Sequence, residues 1–311
     1  MTKLARVGRE IEVQKIEACI RAGRHLLLEG PVGAGKTHLA LAVIDDLGIP
    51  LFRVDGDSRY SEQKLTGWFD PPLVVEKGFG AESFLPGPLV QAMQAGGVLF
   101  INELNRMPEG VQNVLLPAID EGLIVVPRLG EIRATEGFVV IATQNPKEFV
   151  ATSHLSEAIL DRFEWAQVEY QSETEEREIV EIKLRKQLSR PSVSPVPGGE
   201  ETHAMLRDAA VRLCRATRNH PRLKRGASVR AAIAVAELTV SLSQKLPDWK
   251  EGFVQAALLA LPTRIELKPE GESGPTKGGG ATSLSTLIEQ MAREALSAAN
   301  GGEGGKKSLT P

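Results

Sequence analysis

Little in this chain points to a disulfide, a metal cluster, a membrane or a nucleic acid. Cysteine is scarce: Cys19 and Cys214 are the only two in 311 residues. Two isolated cysteines make neither a disulfide framework nor a metal site, and a reducing cytoplasm suits them. The histidines are His25, His38, His154, His203 and His220. No pair has the spacing of zinc ligands, so all five read as structural or surface groups. Aromatic residues make up 5% of the chain. The basic run Arg218, Arg222, Lys224 and Arg225 contains no aromatic side chain on which bases could stack. A net charge of −3 gives no general attraction to nucleic acid or to a membrane surface. No apolar run reaches the roughly 18 residues of a spanning helix. The start, Met1 to Arg6, lacks the apolar centre of a signal peptide. The expectation is a cytoplasmic protein with no membrane span, and the composition argues against a nucleic-acid partner.

What is present is ordinary globular composition, 42% hydrophobic and 25% charged, at a length that fits two domains. One stretch stands out: Gly30-Pro31-Val32-Gly33-Ala34-Gly35-Lys36-Thr37, which matches G-x-x-x-x-G-K-[ST], the P-loop. It follows an apolar strand pattern, His25 to Glu29, and precedes a helical one, Thr37 to Ile44. Glycines let successive backbone N–H groups curl into an anion nest. A helix N-terminus adds partial positive charge. Lys36 would reach the outer phosphates of ATP, and Thr37 would offer its hydroxyl to Mg²⁺.

Taken in order, the chain predicts an amphipathic helix after Val7-Gly8-Arg9-Glu10 and a strand at residues 50–54. Residues 68–86 are broken by Pro and Gly and read as an excursion, with short strands at 73–75 and 83–85. Long excursions are functional or disordered. Trp68 and Phe69 either grip a substrate chain or pack the excursion onto its own domain. Gly97 to Glu103 is a buried apolar strand ending in polar residues, the Walker B pattern. Residues 108–121 predict one helix, and 123–134 a β-hairpin with a Gly turn. Further strands are expected at 138–143, ending at Gln144-Asn145-Pro146, and at 166–170, with a short helix closing at Phe163. The predicted class is therefore α/β, a doubly wound, parallel, five-stranded sheet. A small all-α lid domain follows, with helices near 174–188, 201–217, 226–243 and 250–261. The predicted domains are 1–170, 171–266 and a Gly-rich flexible tail, 267–311. That tail carries one amphipathic helix, 284–296, which docks on a partner, folds back on the lid or stays disordered. Gly-rich segments at 277–280 and 301–305 read as linkers. No internal repeat is visible.

The Walker B strand departs from pattern. Glu103 suits the residue that orients and deprotonates an attacking water. The residue before it is normally Asp, which helps hold Mg²⁺. Here it is Asn102, which is neutral. Its amide oxygen can still accept from a metal-bound water, so Thr37 and Asn102 together are expected to hold Mg²⁺ less strongly.

On these motifs, together with 84–89, Leu104-Asn105-Arg106, the helix from Gln112, Leu160 to Phe163 and 226–230, the chain resembles the AAA+ ATPases and, within them, the MoxR family. The resemblance spans about residues 6–265. It implies a ring-forming homo-oligomer, in the family a hexamer, that binds ATP and Mg²⁺ at subunit interfaces. It implies that Val7 and Gly8 pack the adenine and that Asn145, at the sensor-1 position, helps place the water. Arg162 falls at the arginine-finger position, acting on the neighbouring subunit's nucleotide, and Arg230 at sensor 2. It also implies that the 68–86 and 123–134 inserts face a channel, and that the output is remodelling or activation of a client protein with a von Willebrand factor A domain partner. Two rivals remain: an ATP-gated scaffold that turns over slowly because of Asn102, and a nucleic-acid-directed motor.

Overall fold

The computed structural model describes residues 6–145, 155–246, 248–268 and 283–300, with side chains to 298. Pro146, His154 and the Gly-rich segments at 277–280 and 301–305 lie outside the described residues. The chain divides into two compact units, Met1–Glu169 and Tyr170–Pro311.

The first unit opens with α1 (Glu10–Arg21), β1 (Leu26–Glu29), α2 (Lys36–Asp46) and β2 (Leu51–Asp55). Next come α3 (Glu62–Thr66), β3 (Gly67–Phe69), α4 (Pro71–Lys77), β4 (Phe84–Pro86) and α5 (Pro88–Ala95). Then follow β5 (Val98–Asn102), α6 (Glu109–Asn113), α7 (Leu115–Asp120), β6 (Leu123–Val126) and β7 (Gly130–Arg133). The unit closes with β8 (Val139–Gln144), α8 (Glu157–Leu160) and β9 (Glu164–Gln167). Five strands form one sheet in the order β2-β5-β8-β1-β9, every pair parallel. The middle strands are apolar on both faces, as a sheet covered by helices requires: Leu26 to Leu28, Val98 to Ile101 and Val139 to Ala142 are all buried. Their polar residues stand at the carboxyl ends, the edge at which open parallel sheets bind ligands.

Three local expectations are corrected. Residues 73–75 are not a strand but part of α4. Pro71 and Pro72 fit the first helical positions, where a missing N–H costs nothing, and Gly78 ends the helix at φ +76°. The helix expected over 108–121 is two, α6 and α7, meeting at Val114, because Pro117 cannot donate to the carbonyl of Asn113. The last strand begins at Glu164, earlier than expected. Trp68 and Phe69 turn out to differ. Phe69 packs edge-on against Phe79 and Phe84, at 5.1 and 5.3 Å between centroids, whereas Trp68 is half exposed. The antiparallel β3–β4 pair closes this insert, and Arg128 at the β6–β7 turn lies 4.0 Å over the Phe79 ring, joining the two inserts.

The second unit holds α9 (Glu173–Leu188), α10 (Gly199–Arg218), α11 (Val229–Leu242), α12 (Trp249–Ala260) and α13 (Leu284–Asn300), with a small ladder of β10 (Leu223–Arg225) and β11 (Glu266–Leu267). α13 folds back: it packs on α10 and α12 and buries Leu287, Ile288, Met291, Ala292, Ala295 and Leu296. Arg293 pairs with Glu251 of α12 at 3.6 Å. Among the described residues no helix is long and apolar enough to cross a membrane.

Candidate functional site

The P-loop connects β1 to α2. Gly35 stands at φ +93°, a left-handed conformation costly for any residue with a side chain, and from it α2 begins at Lys36. The loop's N–H groups and the open helix end therefore sit together, as anion binding needs. Lys36 Nζ donates to the carbonyls of Gly30 at 2.6 Å and Pro31 at 3.1 Å. Ala34 is buried and Val32 exposed.

Two strands away, β5 delivers Asn102 and Glu103. Thr37 Oγ1 donates to Asn102 Oδ1 at 2.6 Å, so the two residues assigned to Mg²⁺ from the sequence do meet. Thr143 Oγ1 also donates to Asn102 Oδ1, at 3.1 Å, and accepts from the Glu103 backbone N–H at 2.9 Å. Both metal-side donors are hard oxygens, the kind Mg²⁺ accepts. Among the described residues no group of three or more His, Cys, Asp or Glu side chains could hold a metal by itself. This donor set fits an ion that arrives with phosphate oxygens rather than one caged by protein.

Glu103 adopts φ +58°, unusual for a side-chain-bearing residue and of order 1 kcal/mol unfavourable. The Thr143 bond and the Arg106 N–H to Glu103 carbonyl bond, 3.0 Å, hold it there. The Glu103 carboxylate accepts from Arg106 Nη1 at 2.8 Å. Asn145 follows β8 and is buried. Glu29 of β1 pairs in register with Gln144 of β8, which brings Asn145 to the P-loop edge of the sheet.

The remaining sequence-assigned residues are placed differently. Val7 is buried and Gly8 half-buried. Arg162 pairs with Asp120 of α7 at 2.5 Å and donates to Ala158 O at 2.6 Å. Arg230 is exposed in the first turn of α11, in the second unit.

Sequence reasoning gave no role to three residues that the structure joins to this site. Thr143 is the hub between Asn102 and Glu103. Asp55, at the end of β2, pairs in register with Asn102 and accepts from its Nδ2 at 3.0 Å. Hydrogen bonds from Arg53 hold the Asp55 carboxyl below the usual range, with Asn102 adding to the effect and burial opposing it. Arg9 is buried; it donates to the P-loop carbonyl of Ala34 at 3.0 Å and to Glu169 O, and pairs with Glu12 at 2.7 Å. The only sequence signal for Arg9 was its place beside Val7-Gly8. Asp55 gave none, because strand pairing is not visible in the chain.

Comparison with known proteins agrees with this geometry. Residues 25–163 match the model of the AAA domain, dynein-related subfamily. The uncharacterised protein YeaC of Bacillus subtilis is 28% identical over 282 residues, 85% of this chain and 84% of that one. An uncharacterised protein of Staphylococcus epidermidis is 31% identical over 156 residues, 50% of this chain and 59% of the other. The gas vesicle ATPase GvpN1 of Halobacterium salinarum is 28% identical over 188 residues, 55% of this chain and 54% of its own. Thus the chain spans most of the first relative but little more than half of the other two. Among solved structures, NtrX from Brucella abortus in complex with ADP superposes with TM-score 0.54 at 19% identity, over 80% of this chain and 52% of that one. A RuvB mutant from Thermotoga maritima does so with TM-score 0.51 at 16% identity, over 83% and 71%. A P-loop on a β2-β5-β8-β1-β9 sheet, a helical second unit and these likenesses agree: the chain has the AAA+ P-loop fold, with an AAA domain match across its nucleotide-binding core.

Proposed function

We propose that the protein is a ring-forming, Mg²⁺-dependent ATPase of the MoxR type that remodels or activates a client protein. The observation that carries the reading is the Thr37–Asn102 contact beside the glycine loop, with Glu103 next in the chain. Gly30 to Thr37 hold the phosphates, and Thr37 and Asn102 would hold Mg²⁺, which supplies charge neutralisation at the outer phosphates when bound. Glu103 accepts the proton of the attacking water, after its carboxylate turns from Arg106. Asn145 orients that water, and Val7 and Gly8 pack the base. Arg162 leaves Asp120 to serve the neighbouring subunit's nucleotide, a contribution worth ~10³–10⁵ in rate where such fingers act in trans. Arg230 contacts phosphate from the lid. The gas vesicle ATPase among the relatives supports an ATP-driven role. A hexameric ring and a partner with a von Willebrand factor A domain complete the reading by analogy with the MoxR family.

A second reading, an ATP-gated scaffold with slow turnover, draws on Asn102 and on the Glu103–Arg106 pair. Steady-state hydrolysis decides between them. The expected result is Mg²⁺-dependent turnover in the wild type, lost by about 10²-fold or more in Glu103→Gln. Tight ATP binding with no turnover in the wild type would establish the scaffold instead.

A further inference from the structure

Asn102 leaves the metal side of this site one negative charge short, yet the sheet places a carboxylate directly beside it. Asp55 and Asn102 are partners in the parallel β2–β5 register. Their side chains are hydrogen-bonded, Asn102 Nδ2 to Asp55 Oδ1, at 3.0 Å. The amide can point only one way. Its nitrogen faces a carboxylate, which only accepts, while its oxygen takes the hydroxyls of Thr37 and Thr143. The result is a chain of hydrogen bonds from Asp55, through the Asn102 amide, to the Thr37 hydroxyl.

The backbone fixes that alignment. Gly56 N–H donates to Asn102 O at 2.7 Å. A Cβ at Gly56 would lie 2.1 Å from the Glu103 carbonyl, so only glycine lets β2 end this close to β5. Arg53 clamps both Asp55 oxygens, Nε on Oδ2 at 3.1 Å and Nη2 at 2.8 Å on Oδ1, the same oxygen that accepts from Asn102, which fixes the carboxylate beside the amide.

We propose that Asp55 is a positioning residue for the nucleotide-bound Mg²⁺: it polarises the Asn102 amide, so that the amide oxygen takes the place of the missing Walker B carboxylate. The charge is moved one strand outward rather than lost. An Asp at 102 would instead set two carboxylates within hydrogen-bond distance, where they repel. The choice of Asn at 102 and Asp at 55 is thus one decision made across two strands. The inference rests on reading the P-loop as a Mg²⁺–ATP site.

The test measures metal binding rather than turnover. Mn²⁺ binding to the ATP-saturated full-length protein is followed by the electron paramagnetic resonance signal of free Mn²⁺. The proteins compared are the wild type, Asp55→Asn, Asn102→Asp and the double variant. Asp55→Asn should weaken Mn²⁺ about tenfold, as loss of a residue supporting a metal ligand does, while ATP binding without metal stays unchanged. The double variant, which moves the carboxylate from 55 to 102, should recover wild-type Mn²⁺ affinity. Unchanged Mn²⁺ affinity in Asp55→Asn, or a double variant as weak as the single one, would overturn the proposal and leave the nucleotide reading standing. Loss of metal-free ATP binding in Asp55→Asn would also overturn it, by making Asp55 a prop of the fold. A wild type that binds no ATP would overturn both.

Discussion

His25 shows how much a single side chain can be committed to this fold. Its Nδ1 accepts from the Val140 N–H at 2.9 Å, and its Nε2 donates to Ile119 O at 3.2 Å. Only the neutral ring with its proton on Nε2 makes both bonds. The ring also lies about equally far from Phe138 and Phe163, at 6.1 and 6.2 Å. Burial lowers its pKa, with Arg24 adding to the shift and the Ile119 bond and Asp120 opposing it. The folded state therefore takes up a proton later than the unfolded chain as pH falls. The stabilisation is complete above the unfolded value, about 6.5, and is lost as pH drops from there through the lower folded value. Urea unfolding at pH 7.5, 6.5 and 5.5 should show stability falling below pH 6.5, with a slope of at most about 1.4 kcal/mol per pH unit from this proton. In His25→Gln the slope should be shallower by that share; an equal slope would assign the acid sensitivity elsewhere. At this scale the sequence was readable where chemistry is local. The P-loop residues are consecutive and carry their own geometry. Asp55, Thr143 and Arg9 were not readable as site residues, because each reaches the site through pairing with a distant segment.

At the scale of elements, α13 is the telling case. Its apolar positions Leu287, Ile288, Met291 and Ala295 were legible as one helical face, but periodicity says only that a face is covered, not by what. The structure covers it with α10 and α12, and Ile288 is fully buried. The tail helix thus belongs to the packing of the second unit. Truncating a fully buried isoleucine costs about 2–5 kcal/mol, the lost transfer energy plus the cavity left behind. Ile288→Ala should therefore lower the stability of the second unit by a corresponding amount, while Gln290→Ala, on the exposed side, should change it by less than about 0.5 kcal/mol. Equal effects would mean that the helix does not stay docked in solution. The α4 segment failed in the opposite way. Leu73-Val74-Val75 is short and apolar, with two β-branched valines, so composition favoured a strand. The flanking Pro71-Pro72 and Gly78 instead supplied a helix start and stop, and Val75 remained exposed. In short apolar runs the boundary residues outweigh the run itself.

For the whole molecule, the remaining question is whether one chain makes a complete site. The P-loop, Asn102 and Glu103 lie in one unit, and Arg162 is held by Asp120 and Ala158 in its own chain; in the proposed ring it would serve a neighbour only on assembly. Rings built from heterologous contacts join a site on one subunit to a finger on the next. Two inactive proteins can therefore complement each other. On the proposed reading, Lys36→Ala would remove the phosphate site and keep the finger, and Arg162→Ala would do the reverse. Alone, each should hydrolyse ATP at least about 10²-fold more slowly than the wild type. Mixed at equal amounts with subunit exchange allowed, about a quarter of the interfaces would combine an intact site with an intact finger, and hydrolysis should return to about that fraction if interfaces act independently. A mixture as inactive as its components, with exchange verified by fluorescence transfer between labelled subunits, would place Arg162 in cis or remove it from catalysis. Activity in Arg162→Ala alone would show that the Asp120 pair, and no neighbouring nucleotide, is its business.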